Sequence, residues 1–281
     1  MRTSDRVLSS VLRVRSPARS TRLRTSPPPL QVVILAAGMG TRLGRDHPKP
    51  LTPLDDGRTI LKRQLDGLRA VLGADVPITA VVGYRCEMIM QAAPDLTFVY
   101  NPDFATTNTS KSLLRALSNS RDGGVLWLNG DVVFDPAVLE LALPFLRENQ
   151  SFVCVDTNTV ADEEGKYTLD SEGFVRELSK TVVGGLGEAV GINFVSAADK
   201  PALVEHLGAC GVQDYFERGM ETAIDERGLR FRPVDISRFA AVEVDFETDL
   251  QRANTLLPGT LNHVVTEVAA VAEVAEVAEV R

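Results

Sequence analysis

Residues 35–51 read LAAGMGTRLGRDHPKPL, and they follow an apolar run, Gln31-Val32-Val33-Ile34-Leu35, with the character of a buried strand. The chain then enters a turn of small residues, Leu35, Ala36, Ala37, Gly38, Gly40 and Thr41, where the backbone can come close to a ligand. Amides presented by such a turn suit phosphate oxygens, and Arg42 adds a planar, permanently charged fork for the outer phosphates. Other glycine motifs fail on spacing. Gly38 to Gly44 is G-x-G-x-x-x-G rather than the dinucleotide G-x-G-x-x-G, and no Gly-Lys-Ser/Thr of a P-loop is present. Downstream, Pro48 and Pro50 stiffen the backbone on either side of Lys49, which makes that lysine a positioned cation. A triphosphate cradle with a second phosphate-seeking cation is the reading these features support together.

Outward from this loop, short apolar strands alternate with amphipathic helical stretches. ITAVVGY, LTFVYN and VLWLNGDVVF read as strands; TILKRQLDGLRAVL, CEMIMQAA, SKSLLRALSN and DPAVLELALPFLREN read as helices. This rhythm predicts an α/β domain with a mainly parallel sheet covered by helices on both faces, and ligands at the carboxyl ends of the strands. Beyond Ser151 the pattern changes: SFVCVDT, then KYTL and FVREL around an Asp170–Gly173 turn, predict a small antiparallel addition. Later segments close one domain over residues 30–258. Residues 1–29, rich in Arg, Ser and Pro, are expected to be a disordered extension, and residues 259–281 a low-complexity Val-Ala-Glu tail.

Charge narrows the classes of partner. The formal net charge is −8, yet residues 1–30 hold seven Arg against one Asp, so the other 251 residues carry −14. An acidic body of this kind disfavours nucleic acid as a partner and requires any anionic ligand to meet local cations or a metal. The three cysteines, Cys86, Cys154 and Cys210, are unpaired in spacing and read as reduced, mostly core thiols. No apolar run is long enough to span a membrane, so a cytoplasmic protein is expected; a homo-oligomer stays open. His47, His206 and His263 are read as structural or solvated.

Two acids complete the candidate site. The strand Val125-Leu126-Trp127-Leu128-Asn129-Gly130 ends in Asp131, where a carboxylate could hold Mg²⁺ against phosphates, as that ion shares its sphere with water and one or two acids. In Val242-Glu243-Val244-Asp245, strand alternation puts Glu243 and Asp245 on one face, and Asp245 could supply the second ligand. Asp249 reads instead as a cap for the helix that follows.

Together, LAAGxGTRL, PKxL, a strand ending in GD and a late E-x-D resemble the nucleotidyltransferases that make sugar nucleotides and CDP-alcohols, over roughly Gln31 to Leu257. The resemblance implies a Rossmann-like, nucleotide-diphospho-sugar transferase fold, with Arg42 and Lys49 on phosphates and Asp131 and Asp245 on Mg²⁺. Asn101-Pro102-Asp103-Phe104, Thr107-Asn108 and Ser112-Leu113 are most similar to phosphocholine and phosphonate cytidylyltransferases. That similarity implies Gly83, Tyr84, Asn108 and Ser112 near the nucleotide, and Lys180, Glu188 and Gly191 near the acceptor. It further implies transfer of CMP from CTP to a small phosphate- or phosphonate-bearing alcohol or amine, by in-line attack on the α-phosphorus. Thr109 stands where some relatives repeat asparagine, and aromatic residues are too sparse for a choline cage, so phosphocholine itself is disfavoured. The alternatives are a sugar-1-phosphate or inositol-phosphate nucleotidyltransferase and, in another class, a catalytically silent nucleotide-sensing subunit.

Overall fold

A computed structural model describes residues 30–158 and 165–256. The two expected tails and His263 lie outside the described residues. Strand β1 (Gln31–Ala36) is buried along its whole length, as expected for an apolar run without alternation. It pairs in parallel with β2 (Ile78–Val82) on one side and β4 (Val125–Asn129) on the other, and β3 (Thr97–Tyr100) joins β2 in parallel. Beyond β4 lies β9 (Glu188–Val195), which runs antiparallel both to β4 and to β6 (Phe152–Asp156). At the far edge β10 (Arg232–Asp235) is parallel to β6. Along the path β10-β6-β9-β4-β1-β2-β3, therefore, only β9 opposes the common direction. A hairpin of β7 (Lys166–Leu169) and β8 (Val175–Ser179) attaches at the start of β9. Its turn is closed by Asp170, which accepts from the amides of Glu172 and Phe174, and Gly173 takes φ 79°. Mixed, mostly parallel sheet and antiparallel addition both match the sequence expectation.

Each face of the sheet has its own apolar layer. Val32, Ile34 and Ala36 of β1 pack with α1 (Ile60–Leu72), α2 (Cys86–Ala92) and α4 (Ala137–Glu148). Val33 and Leu35 point the other way, towards α3 (Thr109–Ser118), α5 (Lys200–Ala209) and α6 (Phe216–Arg227). The single tryptophan, Trp127, is fully buried in this second layer and meets Phe216 edge-on at 5.7 Å between ring centres. Among the described residues no helix is long and apolar enough to cross a membrane.

One sequence expectation is revised. The run VLWLNGDVVF is two strands: β4 stops at Asn129, and β5 (Val132–Phe134) leaves the main sheet to pair antiparallel with β11 (Ala241–Glu243). The break falls at Gly130, where a Cβ would sit 2.6 Å from the Leu35 carbonyl oxygen. Gln64, buried in α1, donates its amide to the carbonyls of Asn129 and Val132 on either side of the break, so the backbone groups released from the sheet keep partners. A third, smaller apolar cluster packs Leu43 and Leu54 of the loop after β1 against Val133 of β5, Val242 and Val244, and Leu250 and Ala253 of α7 (Glu247–Leu256). This satellite core carries the late acidic segment to the glycine-rich loop.

Candidate active site

The loop after β1 turns through two short 3-10 segments, Thr41–Leu43 and Lys49–Leu51. Gly40 stands before the first, in the left-handed region at φ 59°, and a Cβ there would press on Lys49 Cβ at 3.1 Å. Gly40 is thus required both by its torsion and by the seat of Lys49. Gly38 has neither constraint and faces open space, so its small size serves approach by a ligand. Buried Leu43 anchors the turn in the satellite core and leaves Arg42 half exposed beside it.

Lys49 Nζ reaches two acids far away in sequence. It donates to Asp131 Oδ2 at 2.8 Å and makes a short contact with Asp245 Oδ1, while Arg42 Nη1 donates to the other Asp245 oxygen at 2.6 Å. The Lys49 side chain is only 12% exposed. Burial opposes its charge, but the fields and hydrogen bonds of Asp131 and Asp245 outweigh burial and raise its pKa above the ordinary lysine value. Burial likewise works against a charged Asp245, yet Lys49 and Arg42 hold that carboxyl below the usual range. Both shifts favour the charged forms of Lys49 and Asp245. Backbone contacts fix it: the Val244 amide donates to the Asp131 carbonyl at 3.1 Å, and Asp249 Oδ2 accepts from the amides of Asp245 and Phe246. Asp249 thus caps α7, as its sequence position suggests, and it also fixes the backbone at Asp245. β11 ends at Glu243, so Asp245 reaches the site from the cap of α7 rather than from strand alternation.

These groups line one cavity of about 420 Å³ across the carboxyl ends of β1 and β4. Of the residues singled out in sequence, Leu35, Ala36, Gly38, Gly40, Thr41, Arg42, Lys49, Asn108, Asp131, Lys180 and Asp245 line it. Asn108 caps α3 through Thr109 N at 2.8 Å. Lys180 places its Nζ 5.1 Å from the centre of the Tyr215 ring, which also lines the cavity.

Six others, Ala37, Gly83, Tyr84, Ser112, Glu188 and Gly191, do not line the cavity. Ala37 turns its carbonyl away to accept from Tyr84 N at 3.1 Å. At Gly83 a Cβ would come within 2.5 Å of Phe104 Cβ, so this glycine lets the two loops close on each other. Ser112 accepts from Asn101, whose amide also holds Thr107, and this fixes a loop that lends Phe104, Ala105 and Thr107 to the wall. On β9 it is Ala189, not Glu188, that faces the cavity, since neighbouring strand residues point to opposite sides. Gly191, at φ 67°, makes room for Asn129, which does line it. Sequence reasoning passed over Asn129, Gln213, Tyr215 and Glu217, and treated Glu243 only as the face partner of Asp245; all five are in the wall. They come from a strand end and a loop-helix junction with no motif of their own. Neither His47 nor His206 is among the lining residues.

The fit of a divalent cation can be judged from the donors. Asp131 Oδ1 is buried without a hydrogen-bond partner, and so is Asn129 Oδ1 at the end of the same strand. Among the described residues no cluster of three or more His, Cys, Asp or Glu forms a closed metal cage. Two carboxylates with a free oxygen on one of them suit an ion such as Mg²⁺, which completes its sphere with water and substrate phosphates.

Comparison with known proteins agrees with this architecture. Residues 32–223 match the MobA-like NTP transferase domain. The CMP-5'-(3-aminopropyl)phosphonate synthase of Streptomyces rubellomurinus is 32% identical over 254 residues, covering 80% of this chain; the chain spans 38% of that protein's length. The bifunctional protein GlmU of a Cyanothece species is 33% identical over 146 residues, or 50% of this chain and 32% of that protein. Among solved structures, the CTP:phosphocholine cytidylyltransferase of Streptococcus pneumoniae superimposes with a TM-score of 0.66 at 18% identity, over 82% of this chain and 100% of that one. The inositol-1-phosphate CTP transferase of T. maritima gives 0.67 at 17%, over 82% of this chain and 96% of that one. At such identities the structural likeness speaks for the Rossmann-like fold alone. The domain match over residues 32–223 carries the assignment: this chain belongs to the MobA-like NTP transferase domain family.

Proposed function

We propose that the chain transfers CMP from CTP to a small acceptor bearing a phosphate or phosphonate, in a Mg²⁺-dependent reaction that releases pyrophosphate. The observation that carries this is the clamp of Lys49 on Asp131 and Asp245, with Arg42 beside it, in a cavity floored by the glycine-rich loop. The likeness to the aminopropylphosphonate synthase supports CTP and a phosphonate over a sugar phosphate.

An oxygen of the acceptor attacks the α-phosphorus; the bond from that phosphorus to the bridging oxygen breaks, and its electron pair leaves with pyrophosphate. A phosphate or phosphonate dianion is already a nucleophile, so no side chain has to remove a proton. The loop amides hold the triphosphate, while Arg42 and Lys49 offset the repulsion between two anions brought together. Mg²⁺ held by Asp131 and Asp245 would neutralise charge on the phosphates.

Pyrophosphate release, measured across CTP, UTP, dTTP, GTP and ATP with phosphonates, phosphocholine, inositol phosphate and sugar 1-phosphates, tests the reading. Turnover is expected with CTP and phosphonate acceptors. Release only with a sugar 1-phosphate overturns the acceptor class, and nucleotide binding without release in any combination points to a sensing subunit.

A further inference from the structure

Asn129 ends β4 two residues before Asp131, and its side chain lines the cavity beside β9. Its backbone is pinned. The Asn129 carbonyl accepts from Gln64 Nε2 at 2.9 Å, and the next amide, that of Gly130, donates to the Leu35 carbonyl at 2.9 Å. The side chain thus projects from a fixed base, and β9 is shaped to admit it. Between the pairs Val153–Asn193 and Val155–Ala189, β6 advances by Cys154 alone while β9 carries Val190, Gly191 and Ile192, so β9 bulges. Gly191 sits in that bulge at φ 67°, where a Cβ would lie 2.6 Å from Asn129 Nδ2. A glycine inside a strand marks a place where another group comes close, and here that group is the Asn129 amide.

The two ends of the amide differ. Asn129 Oδ1 is buried without a hydrogen-bond partner. On the same face of the sheet lie two buried donors that also lack partners: Trp127 Nε1, two residues back on β4, and Asn193 Nδ2, across from Trp127 on β9. They favour the oxygen end on the inner side, reached directly or through a water, which leaves Nδ2 as the end that a ligand in the cavity can meet. An N–H donor beside Asp131 suits a phosphorus-bound oxygen. The glycine-rich loop follows β1, and β9 lies on the other side of β4, so the β4–β9 junction is the acceptor's side of the nucleotide. Resting on the cytidylyltransferase reading, we propose that Asn129 Nδ2 donates to a phosphonate or phosphate oxygen of the acceptor, and that Gly191 reserves the room this amide needs. The donor is uncharged, so it orders the attacking anion without cancelling the charge that makes it a nucleophile.

The test uses the full chain with Mg²⁺, CTP and the best phosphonate or phosphate acceptor of the pyrophosphate screen, 3-aminopropylphosphonate being tried first. Asn129→Ala removes the donor; Asn129→Asp puts a carboxylate of the same shape in its place, which repels the acceptor. At saturating CTP, Ala is expected to lower kcat/KM for the acceptor about tenfold to a hundredfold, as for one hydrogen bond to a charged group, and Asp to lower it further. The KM for CTP should stay within about twofold of wild type in the Ala variant, a split that general loosening of the fold would not produce. Gly191→Ala approaches the same contact from β9: its methyl displaces the amide, and its loss should not add to that of Asn129→Ala in the double variant. If Gly191→Ala fails to fold, the two Asn129 variants carry the test alone. An acceptor kcat/KM within about twofold of wild type in folded Asn129→Ala, or a KM for CTP raised as much as that for the acceptor, overturns the Asn129 assignment and leaves the cytidylyltransferase reading intact. No pyrophosphate from CTP with any acceptor, alongside release from another nucleotide in the wider screen, overturns the parent reading and this one with it.

Discussion

Replacing Lys49 with Met removes the charge between Asp131 and Asp245 and keeps most of the side-chain volume. Lys49 is 12% exposed and the two carboxylates are each 20% exposed, so the cluster lies between a surface ion pair and a buried one. Breaking a buried pair costs roughly 3–5 kcal/mol and an exposed one roughly 0–1, so about 2 kcal/mol is expected here. For a domain of this size that corresponds to a fall in Tm of about 4–8 °C. If the carboxylates hold a divalent cation, as proposed, the variant should recover part of the loss when one is added. Mg²⁺ at ten times its Kd would return about 1.4 kcal/mol. The wild-type protein, whose carboxylates are already neutralised by Lys49 and Arg42, should gain less without nucleotide. Thermal melts with and without MgCl₂, together with direct titration of Mn²⁺, check both statements. Equal melting temperatures for the two proteins, or an equal response to the metal, would refute the reasoning. Turnover by the variant should also fall by about 10²–10³, the usual cost of losing one charged stabiliser at a phosphoryl site.

Acid should weaken the pairing of Asp245. Its folded pKa is lowered, so its contribution is present above the unfolded carboxylate value and is lost as pH falls through the folded one. Asp245→Asn should therefore flatten the acid limb of stability below about pH 5 in denaturant titrations, whereas a limb as steep as wild type counts against the pairing. Lys49, raised instead, contributes across neutral pH and is lost only in strong alkali. Gly130→Ala would force a Cβ to within 2.6 Å of the Leu35 carbonyl oxygen, and a destabilisation of about 2–3 kcal/mol is expected, with loss of turnover. A variant as stable and active as wild type would show that the break after β4 can relax. Asp249→Ala removes the acceptor for two backbone amides at the start of α7; it should cost about 1 kcal/mol and lower kcat more than nucleotide affinity, read by melts and steady-state kinetics.

The amino-acid sequence by itself determined the parts of this protein whose physics is local. Unbroken apolar runs such as Gln31–Leu35 fix central strands, because a strand covered on both faces needs no alternation. Gly40 and the Pro48-Lys49-Pro50 unit mark the loop, because torsion and stiffness act within a few bonds. Asp131 and Asp245 stood out as acids at strand or helix ends, although the alternation argument for Asp245 used a strand that stops two residues earlier. Tertiary structure alone decided what these residues meet. Lys49 touches acids 82 and 196 positions away, because the satellite core of Leu43, Val133, Val244 and Leu250 brings three distant segments together. It decided, too, that Gly83 and Ser112 support the walls rather than line them, and that Tyr215 and Glu217 line the cavity. Such placements follow from the register of β4, β9 and β11 and from the packing of α3 and α6. These are contacts between residues far apart in the chain, and no local pattern of residue types encodes them.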